Sequence, residues 1–567
     1  MKNLMTKISK KYSLLTLLIA CCFVFSACSS EEPKVEVSKN SLALIVPESA
    51  TFFFELTNYD QYLDLISKEK GYAEVMEAFK SNKKLNELFL KQYAPILDIK
   101  KEWTDLFIDR NNLVTSFNDL VSKSFGGFVM YSTMEVDLNA ETQATPSVTL
   151  IFKSADDEFI SKIKELVSKS ESLVAEKVDD KDIYKSNDAD FFVSISDRYI
   201  VAASSKDELL AAFANLKTPP AKSILNNTKF QKITAGAPAN LMSMYLDFGA
   251  FKNLPDTGDL ILQNTLMNIE SLGFFASFDS ATDFDMSFRV AFDKNSLSYN
   301  MLAELSLKNG DSIKRAVSNS DVMLSLAIPQ LTDSFKKLVD KTPEGQMFLA
   351  QLEGNEMADL FVNNFNQLDV SIVDSKLAPA MNMEVGLPKV LVNAYFKDAG
   401  KVMNNPMVKG SFEGISSTEK IAGLNVISTA FGPALAQVNS TQISGIFTSD
   451  AEGFFKAAQG KGSTLADNPV AKKIMAKASD KNNFFEAYVD IMPILAIQKE
   501  ILANNLDDLD EEAIMFVAYM MKLNEATYKS GAVSMNMNCK NFILSVNMFF
   551  TAEYDFKNLA SKINEIK

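Results

Sequence analysis

Histidine is absent from the 567-residue chain. That removes the side chain that most often serves as general base, zinc ligand and near-neutral proton switch. Ser-His-Asp and Cys-His nucleophile systems go with it. Cysteine is almost as scarce. Cys21, Cys22 and Cys28 crowd the N-terminus, and Cys539 alone lies in the body. Cleavage before Cys28 would leave Cys539 without an intrachain disulfide partner. Basic residues are also outnumbered, with 57 Lys and Arg against 72 Asp and Glu and a formal net charge of −15. Such a surface repels nucleic acid and anionic headgroups, which clustered Lys and Arg bind. No nucleic-acid partner is expected. The remaining composition, 47% hydrophobic and 23% charged, is that of an ordinary globular protein. The length suggests roughly two to four domains.

The N-terminus carries the clearest signal. Lys2, Lys7, Lys10 and Lys11 precede a mostly apolar run, "YSLLTLLIACCFVFSA", at 12–27. That is the basic and hydrophobic grammar of an export signal. The run is shorter than the roughly 20 apolar residues that span a bilayer. Phe25-Ser26-Ala27-Cys28 resembles a bacterial lipobox, and Leu18-Ile19-Ala20-Cys21 resembles one too. Cleavage at Cys21 would leave an apolar stub. Cys28 instead opens onto the polar segment "SSEEPKVEVSKNS". Cys28 is therefore the expected lipidation site, with Cys21 the alternative. Residues 1–27 are the expected signal peptide and 28–40 the tether. Two or three acyl chains hold a protein at a membrane far more firmly than one.

The body repeats itself. "RYIVAASSKDELLAAF" (198–213) is echoed by "QISGIFTSDAEGFFKA" (442–457). "NLMSMYLDFGAF" (240–251) is echoed by "NFFEAYVDIMPI" (483–494), and "ATFFFEL" (50–56) by "SDVMLSL" (320–326). Matches in the same order predict a tandem duplication. The first α+β repeat is placed at 41–308, with a helical insert at about 70–121, and the second at 309–567. "PSVTLIFKSADDEFISKIKELV" shows the pattern within each copy. Val148, Leu150 and Phe152 alternate, then Phe159, Ile160, Ile163, Leu166 and Val167 share a helical face. The expected fold class is α+β: two tandem repeats, each a mostly antiparallel sheet with helices packed on one face.

The lipobox-like start, "IVPESATFFFEL", "FFVSISDRYIVAASSKDELLAAF" and "SILNNTKFQKI" running into "MSMYLDF" carry a further likeness. They resemble a domain-of-unknown-function lipoprotein family of Bacteroidetes. The resemblance implies this architecture and no activity. Ser29, Ser30, Glu31 and Glu32 are similar to the surface-export signal of that phylum.

Catalytic and metal-binding patterns are wanting. "AAQGKGSTL" (457–465) misplaces the first glycine of a phosphate loop. The acidic run "NNLDDLDEEA" (504–513) lacks the central glycine and distal glutamate of a calcium loop and suits a helix start. Capping boxes are expected at Ser205 with Glu208 and at Ser449 with Glu452. Asp247 and Asp490 hold matching places in the two copies and are expected to cap helix-like runs. Val533, Met535, Met537 and Cys539 alternate with polar residues, which puts Cys539 in a strand core. No catalytic residue, cofactor or metal is expected. The favoured reading is a non-enzymatic outer-membrane lipoprotein, facing the surface or the periplasm. It would bind a protein or glycan and hold the membrane by its N-terminal lipid. A carrier or sensor of a hydrophobic molecule or lipid is the alternative, on the strength of 42 Phe and 25 Met. A carboxylate- or serine-based hydrolase ranks last.

Overall fold

The computed structural model describes residues 41–97, 105, 107–133, 136–137, 147–178, 181–187, 191–252, 265–308, 311–329, 333–341, 343–352, 355–356, 359–374, 389–411, 416–429, 433–448, 450–480, 482–495 and 511–566. The signal, the tether, Cys28 and Cys21 lie outside the described residues. None of the described helices is long and apolar enough to cross a membrane.

Among the described residues, twenty strands join in one antiparallel ladder. Its first half runs β5 (Leu173–Val178), β6 (Lys181–Ser186), β7 (Phe192–Ser196), β8 (Tyr199–Ala203), β4 (Val148–Ser154), β2 (Phe125–Ser132), β1 (Phe52–Leu56), β9 (Met242–Asp247), β11 (Ile269–Phe278) and β12 (Asp283–Phe292). The second half begins with β22 (Ile543–Tyr554), β21 (Tyr528–Lys540), β20 (Phe485–Asp490), β13 (Val322–Ala327) and β14 (Phe365–Val373). It ends with β15 (Lys389–Phe396), β19 (Gln442–Phe447), β18 (Pro433–Gln437), β17 (Leu424–Thr429) and β16 (Ser416–Ile421). A separate parallel pair joins β3 (Val136–Asp137) to β10 (Phe251–Lys252). The two halves thus follow the same strand order, read outward from their shared seam. At that seam β12 pairs with β22 over nine residues, Asp283 facing Thr551 and Ala291 facing Ile543.

Two features differ from the sequence-based expectation. One sheet replaces two, because the last strand of each half would otherwise leave a long unpaired edge, and pairing edge to edge removes both. Helices also cover both faces rather than one. The helix Thr228–Thr234 sits on the first face, where Phe230 meets Phe53 and Tyr245 edge-on at 5.4 Å each. On the second face, Tyr62 of Tyr59–Ser67 contacts Phe284 at 6.3 Å, and Tyr299 of Leu297–Ala303 contacts Phe292 at 6.2 Å. The helical stretch of the first half starts at Tyr59, before the expected insert, and its last helix ends at Ser124.

The registers explain why both faces need cover. Strand neighbours point to opposite faces. One row on the second face reads Met130, Phe54, Met244, Phe274, Phe288, Val546, Met537, Phe485 and Leu326, one residue per strand and all apolar. A row on the first face starts Val201, Ile151, Val129, Glu55, Ser243, Phe275 and Ser287. Across the seam that row continues Asn547, Asn536, Glu486, Ser325, Asp369, Asn393 and Ser444. Seven successive polar residues on a helix-covered face have no parallel in the first half. Six of them are buried, so their polar atoms need partners inside the protein.

Candidate functional site

The helices Thr228–Thr234 and Pro469–Ala478 stand over the two sides of the seam. A groove of about 1870 Å³ opens between them. Strands β12, β22 and β21 supply its floor through Asp285, Arg289, Ser545, Asn547, Asn536 and Asn538.

A chain of hydrogen bonds crosses this floor in one direction. Arg289, 7% exposed, donates to the carbonyls of Ile233 at 3.2 Å, Ala235 at 2.5 Å and Gly236 at 2.9 Å. Its Nε donates to Ser287 Oγ at 3.1 Å. Ser287 then donates to Asn547 Oδ1 at 2.7 Å, and Asn547 Nδ2 donates to Asn536 Oδ1 at 2.8 Å. Asn536 Nδ2 in turn donates to the carbonyl of Ala478. The carbonyls at the ends of both helices are the groups a helix leaves unpaired. The guanidinium fork reaches Ile233 in the last turn, the capping Ala235 and Gly236 just beyond it at once, which an ammonium could not. Burial alone brings the Arg289 guanidinium down to about 10, still charged at neutral pH.

Two lysines at the groove are paired within the protein. Lys477 meets Asp279 at 2.7 Å and Asp285 at 3.0 Å, and Lys232 meets Glu270 at 2.5 Å. Burial raises the Asp285 carboxyl above its usual range, and Lys477 opposes that rise. Glu55, at one end of the groove, is 6% exposed. It accepts from Ser41 Oγ at 2.9 Å and from the Leu42 amide. Burial pushes it up to about 7 against those hydrogen bonds.

Asp369 and Glu486, each 4% exposed, are raised by burial as well. Neither lines the groove, so they do not converge on it as an acid–base pair. Among the described residues no group of three Cys, Asp or Glu side chains is placed to hold a metal. Cys539 is fully buried in β21.

The expected cap residues are scattered away from the groove. Ser205 caps Lys206–Lys217, accepting from the Glu208 amide at 3.2 Å. The reciprocal half of that box is replaced: Glu208 accepts from Ser204 at 2.8 Å and from Ser147. Ser449 lies outside the described residues. Asp450 caps Ala451–Ala458 instead, and Glu452 pairs with Lys456 at 2.7 Å. A carboxylate one residue later reaches the Gly453 amide at 3.3 Å, which makes Asp450 the cap. Asp247 caps the short turn Phe248–Ala250 and holds Lys229 at 2.6 Å. Asp490 accepts from the Met492 amide at 2.9 Å.

Sequence reasoning missed the groove and Arg289. A signal was there: in "DFDMSFRVAF" Asp285, Ser287 and Arg289 share one parity while Phe284, Met286, Phe288 and Val290 take the other. A strand with a polar stripe reads as half-exposed. Only the pairing of β12 with β22 shows that this stripe is roofed.

No protein-family model matches the chain, and no curated protein matches it. Two crystal forms of a protein named TP0453 are similar to it in part. Form I aligns at 10% identity and TM-score 0.22, covering 46% of this chain and 81% of that one. Form III aligns at 11% identity and TM-score 0.21, covering 51% and 90%. Similarity at that level assigns neither fold nor function.

Proposed function

We propose that the protein is a non-enzymatic lipoprotein of the cell envelope, held at the outer membrane by Cys28, on the surface or periplasmic face. It acts as a binding protein through the groove at its seam. The carrying observation is the groove itself: spacious, polar-floored, balanced in charge and without a convergent catalytic set. We also read the two ten-strand halves as a tandem duplication, supported by their common strand order and the paired sequence matches. In that reading the seam exists because two copies were joined, and the groove is what duplication added.

Fractionation tests the anchor. Cys28→Ser should move the protein from the membrane to the soluble fraction and abolish acyl labelling. Acyl label retained on that variant overturns the assignment, and its loss in Cys21→Ser would move the anchor there. Protease shaving of intact cells then reads the face.

A second reading rests on a separate observation. The central row of the second face is Phe- and Met-rich, and Phe54, Met244, Phe274, Phe288 and Val546 are only half-buried. Adaptable apolar side chains of that kind suit a hydrophobic ligand. Saturable binding of a fluorescent fatty acid, lost in Phe288→Asp, would favour it over the groove.

A further inference from the structure

We propose that the seam groove binds a neutral, hydroxyl-rich chain, an oligosaccharide several sugars long. The inference rests on the binding-protein reading and names its ligand class. Four observations lead to it.

The first is size. At about 1870 Å³ the groove exceeds the roughly 300–1,000 Å³ of ordinary small-molecule pockets. A segment of a polymer fills it, and a single metabolite does not. The second is charge. Lining acids Glu55, Asp285 and Asp480 face lining bases Lys232, Arg289, Lys477 and Lys540, and Asp279 and Glu270 add carboxylates against Lys477 and Lys232, so neither sign prevails. Asp285 and Lys477 neutralise each other, Lys232 is spent on Glu270, and Arg289 is spent on helix carbonyls. A polyanion or polycation finds no complementary field here.

The third is the floor. Each of β12, β22 and β21 is hydrogen-bonded on both sides. No free strand edge is offered, so an extended peptide cannot add to the sheet. What the floor does present is side-chain amide and hydroxyl groups, at Asn538 and Ser545 among others. Amides and hydroxyls offer both donors and acceptors, as sugar hydroxyls require.

The fourth is a strained aromatic residue. The β21–β22 hairpin turns through Asn541 and Phe542, with φ of 55° and 62°. Such a two-residue turn favours Asn-Gly, since glycine alone takes positive φ without cost. Phenylalanine is unfavourable there, yet Phe542 lines the groove as a half-buried residue, its ring tilted against Tyr299 at 4.6 Å between centroids and Lys232 Nζ 5.8 Å from its centre. Strain at a groove wall marks a side chain kept for contact. A phenyl ring suits the apolar C–H face of a sugar ring.

The test is isothermal titration of the detergent-solubilised full chain with maltohexaose, mannohexaose and galactohexaose. A neutral peptide pool and polygalacturonate serve as the contrasting probes. At least one neutral hexaose should bind saturably, and neither contrasting probe should. Phe542→Gly restores the preferred turn, so it should fold and yet bind about tenfold more weakly. Ser479→Trp, an exposed wall position, should also weaken binding by crowding the groove. Absence of binding by all three hexaoses overturns the proposal, as does binding unchanged in both variants. Peptide binding sensitive to Ser479→Trp overturns the sugar and leaves the binding-protein reading standing. Lipidation plays no part in the measurement, so failure of the anchor assignment stays separate.

Discussion

Replacing Glu55 with glutamine should remove a pH-dependent loss of stability. The carboxyl is 6% exposed and accepts from Ser41 and Leu42, the first described residues after the tether. Burial raises it from 4.5 to about 7 in the folded chain. The folded state therefore holds this proton more tightly than the unfolded state. The stabilisation is complete below about pH 4.5, fades as pH climbs toward 7, and is absent above it. One pH unit is worth about 1.4 kcal/mol, so the full swing is on the order of 3 kcal/mol. Glutamine keeps an oxygen to accept the Leu42 amide and cannot ionise. Urea unfolding of both proteins at several pH values between 4.5 and 8 isolates the effect. Other carboxyls titrate in both proteins and cancel in the difference, since distant sites add. Glu55→Gln should match wild type near pH 4.5 and exceed it by roughly 2–3 kcal/mol at pH 8. A difference that is flat across this range, or that grows toward acid, would refute the buried-carboxyl reasoning.

Arg289→Met should cost about 3 kcal/mol or more, because the carbonyls of Ile233, Ala235 and Gly236 and the Ser287 hydroxyl lose a buried donor together. Arg289→Lys should recover little of it, as one ammonium cannot replace the fork; urea midpoints of the three proteins check this. At the matched helix starts, Ser205→Ala and Asp450→Ala should each cost about 1 kcal/mol. Ser449→Ala should stay within about 0.5 kcal/mol of wild type by thermal unfolding; a larger loss there would return the cap to the serine.

Much of the fold was legible from alternation and helical spacing. "VTLIFKS" and "DEFISKIKELVSK" form β4 and the helix Asp157–Lys169 because their apolar residues fall at periods of two and about 3.6. Cys539 sits in a strand core because "VSMNMNC" alternates. Capping was harder to place. At Ser205 the serine is the cap, but at the matched site a neighbouring carboxylate does the same work, and sequence spacing cannot rank two acceptors one residue apart. The helix Tyr59–Ser67 lies between β1 and the expected insert, and Tyr62 packs it on Phe278 and Phe284.

By itself, the sequence determined what the chain cannot do with histidine, where its elements lie and that its two halves share a pattern. Those properties are local, set by residue type and by short-range period. Tertiary structure decided that the halves form one sheet, that both faces are roofed, and that Arg289, Ser287, Asn547 and Asn536 make one chain across a groove. Those four residues span positions 287 to 547. Their meeting depends on β12 and β22 pairing in one register, and a shift by a single residue would put Arg289 and Ser287 on the opposite face from Asn547 and Asn536.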